Sequence, residues 1–404
     1  MQRFERSLLP LAAVCLAALT LLGCPPENVK IAAVLPLSGD AAGYGESVRR
    51  GIELAYEEVQ KSETQQTSLQ IEYVDTESDP GKAAAVLRDQ FRGGSLAALG
   101  GVTSGEAKEM IAVVDDLDRI LLSPSASSPE LTGISRNFYR IWPSDFTAAS
   151  KMASAASELL KVQSVVVIGE QQPYAKGIQS VFAPAFESFG GEVLDTLEFP
   201  PNTTEVAGLV ERAISFSPDA VYLAGYAPSI GALIEELRAQ SFEGKILTTS
   251  AFATAAAIAE VGPEASGVFL TQTVFEHDSD YAHIQKFVKA YEEKHGENPD
   301  IYAAHGYDAM KVLAAAVNNR PALPSEVKKG LRDSIKEFPG VTGSIQFDEK
   351  GDVRKFPRLY IISEDLLLLD YNEQVQEMKE RMREKQEEIR RRLERLRKEA
   401  QQVG

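Results

Sequence analysis

Beyond its first two dozen residues the chain alternates short, uniformly apolar runs with segments whose apolar residues recur at helical spacing. Residues 30–37 (KIAAVLPL) read as a buried strand. Residues 45–60 follow with Val48, Ile52, Ala55, Tyr56 and Val59 on one helical face. Residues 69–75 form the next strand, 80–91 a helix opened by proline, and 96–99 and 120–122 two more strands. After Trp142-Pro143-Ser144-Asp145 the cadence restarts with a helix over about 146–160. Strands are then expected at 164–168, 192–199, 220–223, 245–247 and 268–270, separated by helices such as 175–189 and 229–240. Apolar strands alternating with amphipathic helices build parallel sheets covered on both faces. The fold class is therefore α/β, with two Rossmann-like lobes. The chain after Thr271 returns to helix before supplying late strands at 343–347 and 359–362, which predicts more than one passage between the lobes.

Two stretches stand outside this cadence. Arg3 and Arg6 precede an almost unbroken apolar run over 8–22, the length of a signal-peptide core and short for a membrane span. It ends Leu21-Leu22-Gly23-Cys24, which resembles a bacterial lipobox, so residues 1–23 are a candidate lipoprotein signal and Cys24 the candidate lipidation site. Two acyl chains there would make a stable membrane anchor, with 24–28 as the tether. At the other end, 370–404 has no Pro and a Gly only at position 404. It sets acids four residues before bases at Glu377/Arg381, Glu387/Arg391 and Glu394/Lys398. Val375, Met382, Ile389 and Leu396 recur every seventh residue, but the companion positions run Met378, Lys385, Arg392. A charged solvated helix is expected, either self-associating or holding a protein partner weakly, or standing alone.

Composition narrows the function. With 44% hydrophobic and 25% charged residues the body is an ordinary globular chain. Lys+Arg number 42 against Asp+Glu 59, a formal charge of −17 that repels nucleic-acid phosphates, so no nucleic-acid partner is expected. The only cysteines are Cys15 and Cys24, which leaves the body without a disulfide or a thiol nucleophile. No G-x-x-x-x-G-K-[ST], H-E-x-x-H or G-x-S-x-G occurs, and neither enzyme activity, metal nor cofactor is expected. His277 and His283 stand among residues typical of a helix start, His295 precedes Gly296 as a helix C-terminal residue, and His305 reads as packed within the next helix. The informative groups are polar loops after first-lobe strands: 36–45, 100–105 (GGVTSG) and 123–131 (SPSASSPEL). Ligands of doubly wound sheets bind where strand ends meet helix N-termini, and Ser104 stands where an N-cap would. These loops read either as a carboxylate cradle or as plain helix caps and turns.

The strings at 34–45 (VLPLSGDAAGYG), 100–104 (GGVTS), 123–131 and 138–145 (FYRIWPSD) resemble the leucine/isoleucine/valine-binding protein family of type I periplasmic binding proteins. The likeness continues through 170–177, 222–231 and 347–352 and covers about 29–365. It implies two lobes joined by three crossover segments, closing on a small-molecule solute and delivering it to an ABC importer permease. The implied division is 29–142 with 273–340 as lobe 1, 143–272 with 341–369 as lobe 2, and a C-terminal charged helix over 370–404. By position Tyr44 resembles the family's first-loop tyrosine. Ser104, Ser125 and Ser127 fall where the family grips a carboxylate, and Tyr174 and Tyr226 where second-lobe rings close over the ligand. One group departs from the pattern. Amino-acid binders of this family meet the ligand's ammonium with a second-lobe acid, and here Thr249, Ser250 and Ala251 stand at that place. A buried ammonium without a counter-charge is costly, so a non-amine carboxylate or an amide is as good a candidate unless Glu170 or Glu276 approaches the cleft. The expectation is a lipid-anchored solute-binding protein on the extracytoplasmic face of the cell envelope, taking a small carboxylate or amino-acid-like ligand. The alternative is a non-transport lipoprotein scaffold resembling activators of peptidoglycan synthases, which the C-terminal helix favours. A hydrolase using Ser104 lacks any histidine placed as its base.

Overall fold

The structure, a computed structural model, describes residues 28–403 except 202 and 204; side chains are described to 391, except 388. The candidate signal, Cys24 and nearly all of the tether lie outside the described residues. The chain opens with β1 (Asn28–Leu35), α1 (Ala42–Gln60), β2 (Ser68–Asp75), α2 (Pro80–Arg92), β3 (Ala97–Gly100), α3 (Ser104–Leu117), β4 (Ile120–Ser123) and β5 (Phe138–Arg140). These five strands form one parallel sheet, ordered β2-β1-β3-β4-β5. Ile31 to Leu35 are buried without interruption, because helices cover both faces of the sheet and neither strand face meets water. β5 is a strand that hydrophobic patterning does not announce, since its third residue is the fully buried Arg140.

The second sheet begins after α4 (Asp145–Ser154). It is built from β6 (Ser164–Glu170), α5 (Pro173–Ser188), β7 (Glu192–Phe199), α6 (Ala207–Ser215), β8 (Ala220–Ala224), α7 (Ala227–Ala239), β9 (Lys245–Thr248), α8 (Ala255–Val261) and β10 (Phe269–Gln272). The chain then returns to the first sheet through α9 (Ala282–His295), α10 (Ile301–Val317) and α11 (Pro324–Asp333). α10 packs on α1 at close range because both carry glycine at the contact. A Cβ on Gly51 would come within 1.9 Å of the Ala303 carbonyl oxygen, and one on Gly306 within 2.4 Å of the Val48 oxygen. α9 ends at His295, with Gly296 in the left-handed conformation at φ 76°, as the sequence leads one to expect.

A short hairpin, β11 (Phe338–Gly340) with β12 (Gly343–Ile345), precedes β13 (Arg358–Ile362) and β14 (Leu368–Asp370). The last two strands complete a seven-stranded sheet, β14-β13-β10-β9-β8-β6-β7, as its antiparallel edge. The chain thus passes between the sheets three times, after β5, after β10 and after β12. The late segment corrects one expectation. Residues 341–355, assigned to the second lobe, hydrogen-bond to the first: Val341 N donates to Asp308 at 2.8 Å, and Asp352 pairs with Arg140 at 2.7 Å. Those two buried charges need partners that only this segment supplies, so the chain joins the second sheet only from Arg358.

The final helix, α12 (Tyr371–Val403), is held at its root. Tyr371 meets Phe269 edge-on at 5.3 Å, and Arg358 lies 3.3 Å from Asp370 and 3.8 Å from Glu373. Beyond the root, Met378, Met382 and Ile389 are exposed, and the expected ion pairs Glu377–Arg381 and Glu387–Arg391 form. No described helix is long and apolar enough to cross a membrane.

Candidate functional site

The C-terminal ends of parallel strands from both sheets point at one cavity between them. All six candidate ligand residues read from the sequence line it: Tyr44, Ser104 and Ser125 with Ser127 from the first lobe, Tyr174 and Tyr226 from the second. Thr103, Trp142, Ser250 and Tyr302 join them. The space left is about 20 Å³, room for one water-sized sphere.

The first-lobe wall is made of loop hydroxyls tied down by neighbouring backbone. Thr103, not Ser104, is the N-cap of α3. Its hydroxyl accepts from Glu106 N at 3.2 Å, and the Glu106 carboxylate accepts from Thr103 N at 3.2 Å. Glu106 is buried, and burial raises its carboxyl despite Thr76 donating to it at 2.5 Å. Ser104 therefore stands inside the first turn, where its oxygen accepts from Ser128 N at 3.1 Å and Ser127 N at 3.4 Å. None of these bonds uses its own proton. Ser125 differs: its hydroxyl donates to the Val102 carbonyl at 2.7 Å, which commits that proton to the loop.

The second wall is aromatic. Tyr174 and Tyr226 stack with centroids 5.1 Å apart and an interplanar angle of 10°. The ring layer runs on across the cleft, Tyr226 to Tyr44 at 5.6 Å, Tyr44 to Tyr302 at 4.8 Å and Tyr302 to Trp142 at 5.2 Å. Tyr44 also bridges the lobes directly, its hydroxyl donating to the Ala251 carbonyl at 2.9 Å and accepting from Ala227 N at 3.0 Å. Burial pushes the phenols of Tyr44, Tyr174, Tyr226 and Tyr302 far above the ordinary tyrosine value, so each is a neutral hydroxyl.

The acids fall as follows. Glu276 lies away from the cavity, paired with Arg358 at 3.0 Å. Glu170 is buried behind Tyr226, accepting from Tyr226 N at 3.2 Å and from the side chains of Ser229 and Gln172. Its lone pairs are thereby spoken for within its own lobe, and burial raises its carboxyl. The acid that sequence reading missed is Asp145, the first residue of α4. It is 2% exposed, its Oδ2 has no hydrogen-bond partner, and it sits beside Ser127. Burial lifts its carboxyl to about 6, against the Ser127 hydroxyl and the Arg140 charge, which lower it. Nothing in the sequence separates Asp145 from an ordinary acid in a first helical turn. Trp142 did leave a signal, as the only tryptophan and two residues past a strand end, whereas Tyr302 looks like any aromatic residue of a helix.

Two α/β lobes whose strand ends converge on a cleft lined by hydroxyls and stacked rings define a cleft-closing binding protein. Residues 28–361 match the family described as periplasmic binding protein, and the chain belongs to that family. The leucine-, isoleucine-, valine-, threonine-, and alanine-binding protein of Pseudomonas aeruginosa is 25% identical over 352 residues, covering 85% of this chain and 92% of that protein. The leucine binding protein LivK of Thermotoga maritima is 27% identical with a TM-score of 0.78, covering 85% of this chain and 99% of that one. A solute binding protein of an ABC transporter from R. palustris, solved with benzoate, shares the fold at 22% identity and a TM-score of 0.77, covering 85% of this chain and 95% of that one. α12 lies beyond the stretch matched by the family.

Proposed function

We propose that this chain is the lipid-anchored, extracytoplasmic solute receptor of an ABC importer, and that it holds a small carboxylate or amino-acid-like solute between its lobes. The observation that carries this reading is the meeting of the α3 N-terminus and its loop hydroxyls with the stacked tyrosines in one cavity latched by Tyr44. Free N–H groups and the Ser104 hydroxyl at a helix start suit a carboxylate. The Tyr226 phenol, which takes a hydrogen bond from the Ser104 backbone, holds that place in the closed cleft. A solute enters when the lobes part, and its contacts to both walls then favour closure. The relatives named for leucine support an amino-acid-like solute. Against a standard α-amino acid stands Ser250, buried and uncharged where the resemblance puts the ammonium's acid, with Glu170 already saturated. The reading therefore favours a carboxylate whose remaining groups are neutral. Diacylation at Cys24 keeps the receptor beside its permease.

The test is a thermal-shift screen of residues 25–404, unfolded and refolded to strip carried-over solute, against amino acids, carboxylates and amides. A solute at a hundred times its dissociation constant stabilises the fold by about 2.7 kcal/mol. Stabilisation by one chemical class is the expected result, and no shift from any class overturns the reading. Mass spectrometry of the membrane-extracted protein, showing a diacylated N-terminal Cys24, checks the anchor.

A further inference from the structure

Behind the cleft lies a chain of buried polar groups that solute binding as described does not use. Lys355, in the third passage between the sheets, is 8% exposed; its ammonium donates to Thr342 Oγ1 at 2.6 Å and lies 3.4 Å from His305 Nε2. His305 is fully buried on α10, with Nδ1 2.8 Å from the Ile301 carbonyl oxygen. A carbonyl only accepts, so Nδ1 carries the ring proton and Nε2 is the acceptor that faces Lys355. On its other side the imidazole packs against Trp142 with centroids 4.4 Å apart, and Trp142 lines the cavity and stacks on Tyr302. Asp308, on the same helix, completes the cluster. It accepts from Val341 N at 2.8 Å, Thr342 N at 2.9 Å and the Thr342 hydroxyl at 2.5 Å. Asp308 and His305, both from α10, are the titratable groups that face Lys355, and the hairpin contributes only Thr342.

We propose that Lys355 and His305 are positioning residues of the cleft: the Lys355 ammonium holds the neutral imidazole against Trp142 and so ties the aromatic wall to the third crossover. A hydrogen bond from a charged donor is about twice as strong as one between neutral groups, so loss of one proton from Lys355 loosens the imidazole and removes the charge on the far side of the imidazole from the indole. The cluster is poised for that loss. Burial brings the Lys355 ammonium down to about 8, although Asp308 opposes the shift. His305 is pushed well below its ordinary value, by burial first and by Lys355 second, and stays neutral throughout. The importance of this device for solute uptake rests on the receptor reading, but its existence does not.

Because Trp142 is the only tryptophan, emission from the whole protein reports this wall alone. Residues 25–404, refolded and with no solute added, are titrated from pH 6.5 to 9.5 while tryptophan emission is followed, with far-ultraviolet circular dichroism as the check on folding. The wild type is expected to show a single-proton transition in emission centred near pH 8. Lys355→Met should abolish it and hold the high-pH spectrum at every pH. His305→Phe keeps a ring against Trp142 but removes the acceptor, so it should abolish the transition too and stands in if Lys355→Met does not fold. A flat wild-type profile, or a transition that survives either substitution, overturns the proposal. No solute enters the measurement, so failure here and failure of the solute screen are separate results.

Discussion

The two walls of the cleft are built from the same kind of element, loops at the ends of parallel strands, yet they hold their side chains by opposite means. On the first wall the hydroxyls of Ser123, Ser125 and Ser104 are locked to backbone. Ser123 donates to the Gly101 carbonyl at 2.8 Å, Ser125 to that of Val102, and Ser104 accepts from the 127–128 backbone. Beneath them the fully buried Arg140 binds the Ser128 carbonyl at 2.9 Å and Asp352 through two bonds. On the second wall Tyr174 and Tyr226 stack on each other, the Tyr226 phenol takes a hydrogen bond from the Ser104 backbone, and the Tyr44 phenol of the other lobe reaches back across the cleft. Hydrogen bonds fix direction to within tens of degrees, whereas offset rings tolerate sliding at little cost. On the proposed reading, the first wall is a template for the solute's polar end and the second a lid that adapts to its remainder.

The largest expected effect comes from breaking the template from below. Arg140→Ala leaves the Asp352 carboxylate and the Ser128 carbonyl without their partner, which should destabilise the protein by about 3–5 kcal/mol in denaturant unfolding. A loss under 1 kcal/mol would show that the first wall does not depend on its buried charge. Next is Asp145, which sits where the two walls meet. Its folded carboxyl titrates near 6 against 3.8 for a free one, so the folded state binds more protons between those values. The stability it contributes is present below pH 3.8 and is lost as pH rises through 6, a difference of about 3 kcal/mol. Asp145→Asn should therefore flatten that window and stabilise the protein at pH 7 by about 1–3 kcal/mol, read by urea unfolding at pH 4, 5 and 7.

The latch comes third. Tyr44→Phe removes both of its hydrogen bonds across the cleft, each worth about 1 kcal/mol, and should shift the population toward open forms. Small-angle scattering should register a larger radius of gyration, and an unchanged radius would mean that ring stacking alone closes the lid. The pair Ser104→Ala with Ser127→Ala should weaken a solute found by screening by about 1 kcal/mol per lost bond while the fold persists. Unchanged calorimetric affinity would take these hydroxyls out of the site. The smallest effect is expected from truncation after Asp370, which removes an exposed helix rooted by one ring contact and one surface ion pair. Unfolding free energy should change by less than about 1 kcal/mol.

Much of the molecule was open to reading along the chain, for reasons that are local. A strand buried on both faces must be apolar throughout, so 30–37, 164–168 and 220–223 announce themselves, and proline or glycine marks where their helices begin and end. The cleft residues were reached through resemblance in short strings, not through periodicity, and the cavity gathers all six. The N-cap was misplaced by one position because Thr103 and Ser104 are equally good caps, and only the reciprocal bond with Glu106 chooses between them. The lobe boundary was misplaced because residues 341–355 follow partners far off in sequence, Asp308 and Arg140, whose buried charges exert no pattern on the segment itself.

What the sequence determined by itself is therefore the set of elements and their class: two runs of strand and helix, a charged terminal helix, and hydroxyl-bearing loops at strand ends. These follow from burial periodicity and from residue chemistry that acts over a few positions. That Asp145 is buried beside Ser127 with an unpaired oxygen, that Tyr44 reaches across the cleft, and that Lys355 lies behind His305 and Trp142 were decided only by the tertiary structure. Each of those facts joins residues tens to hundreds of positions apart, and a buried charge or phenol is shifted by what packs around it, which no local stretch of chain encodes.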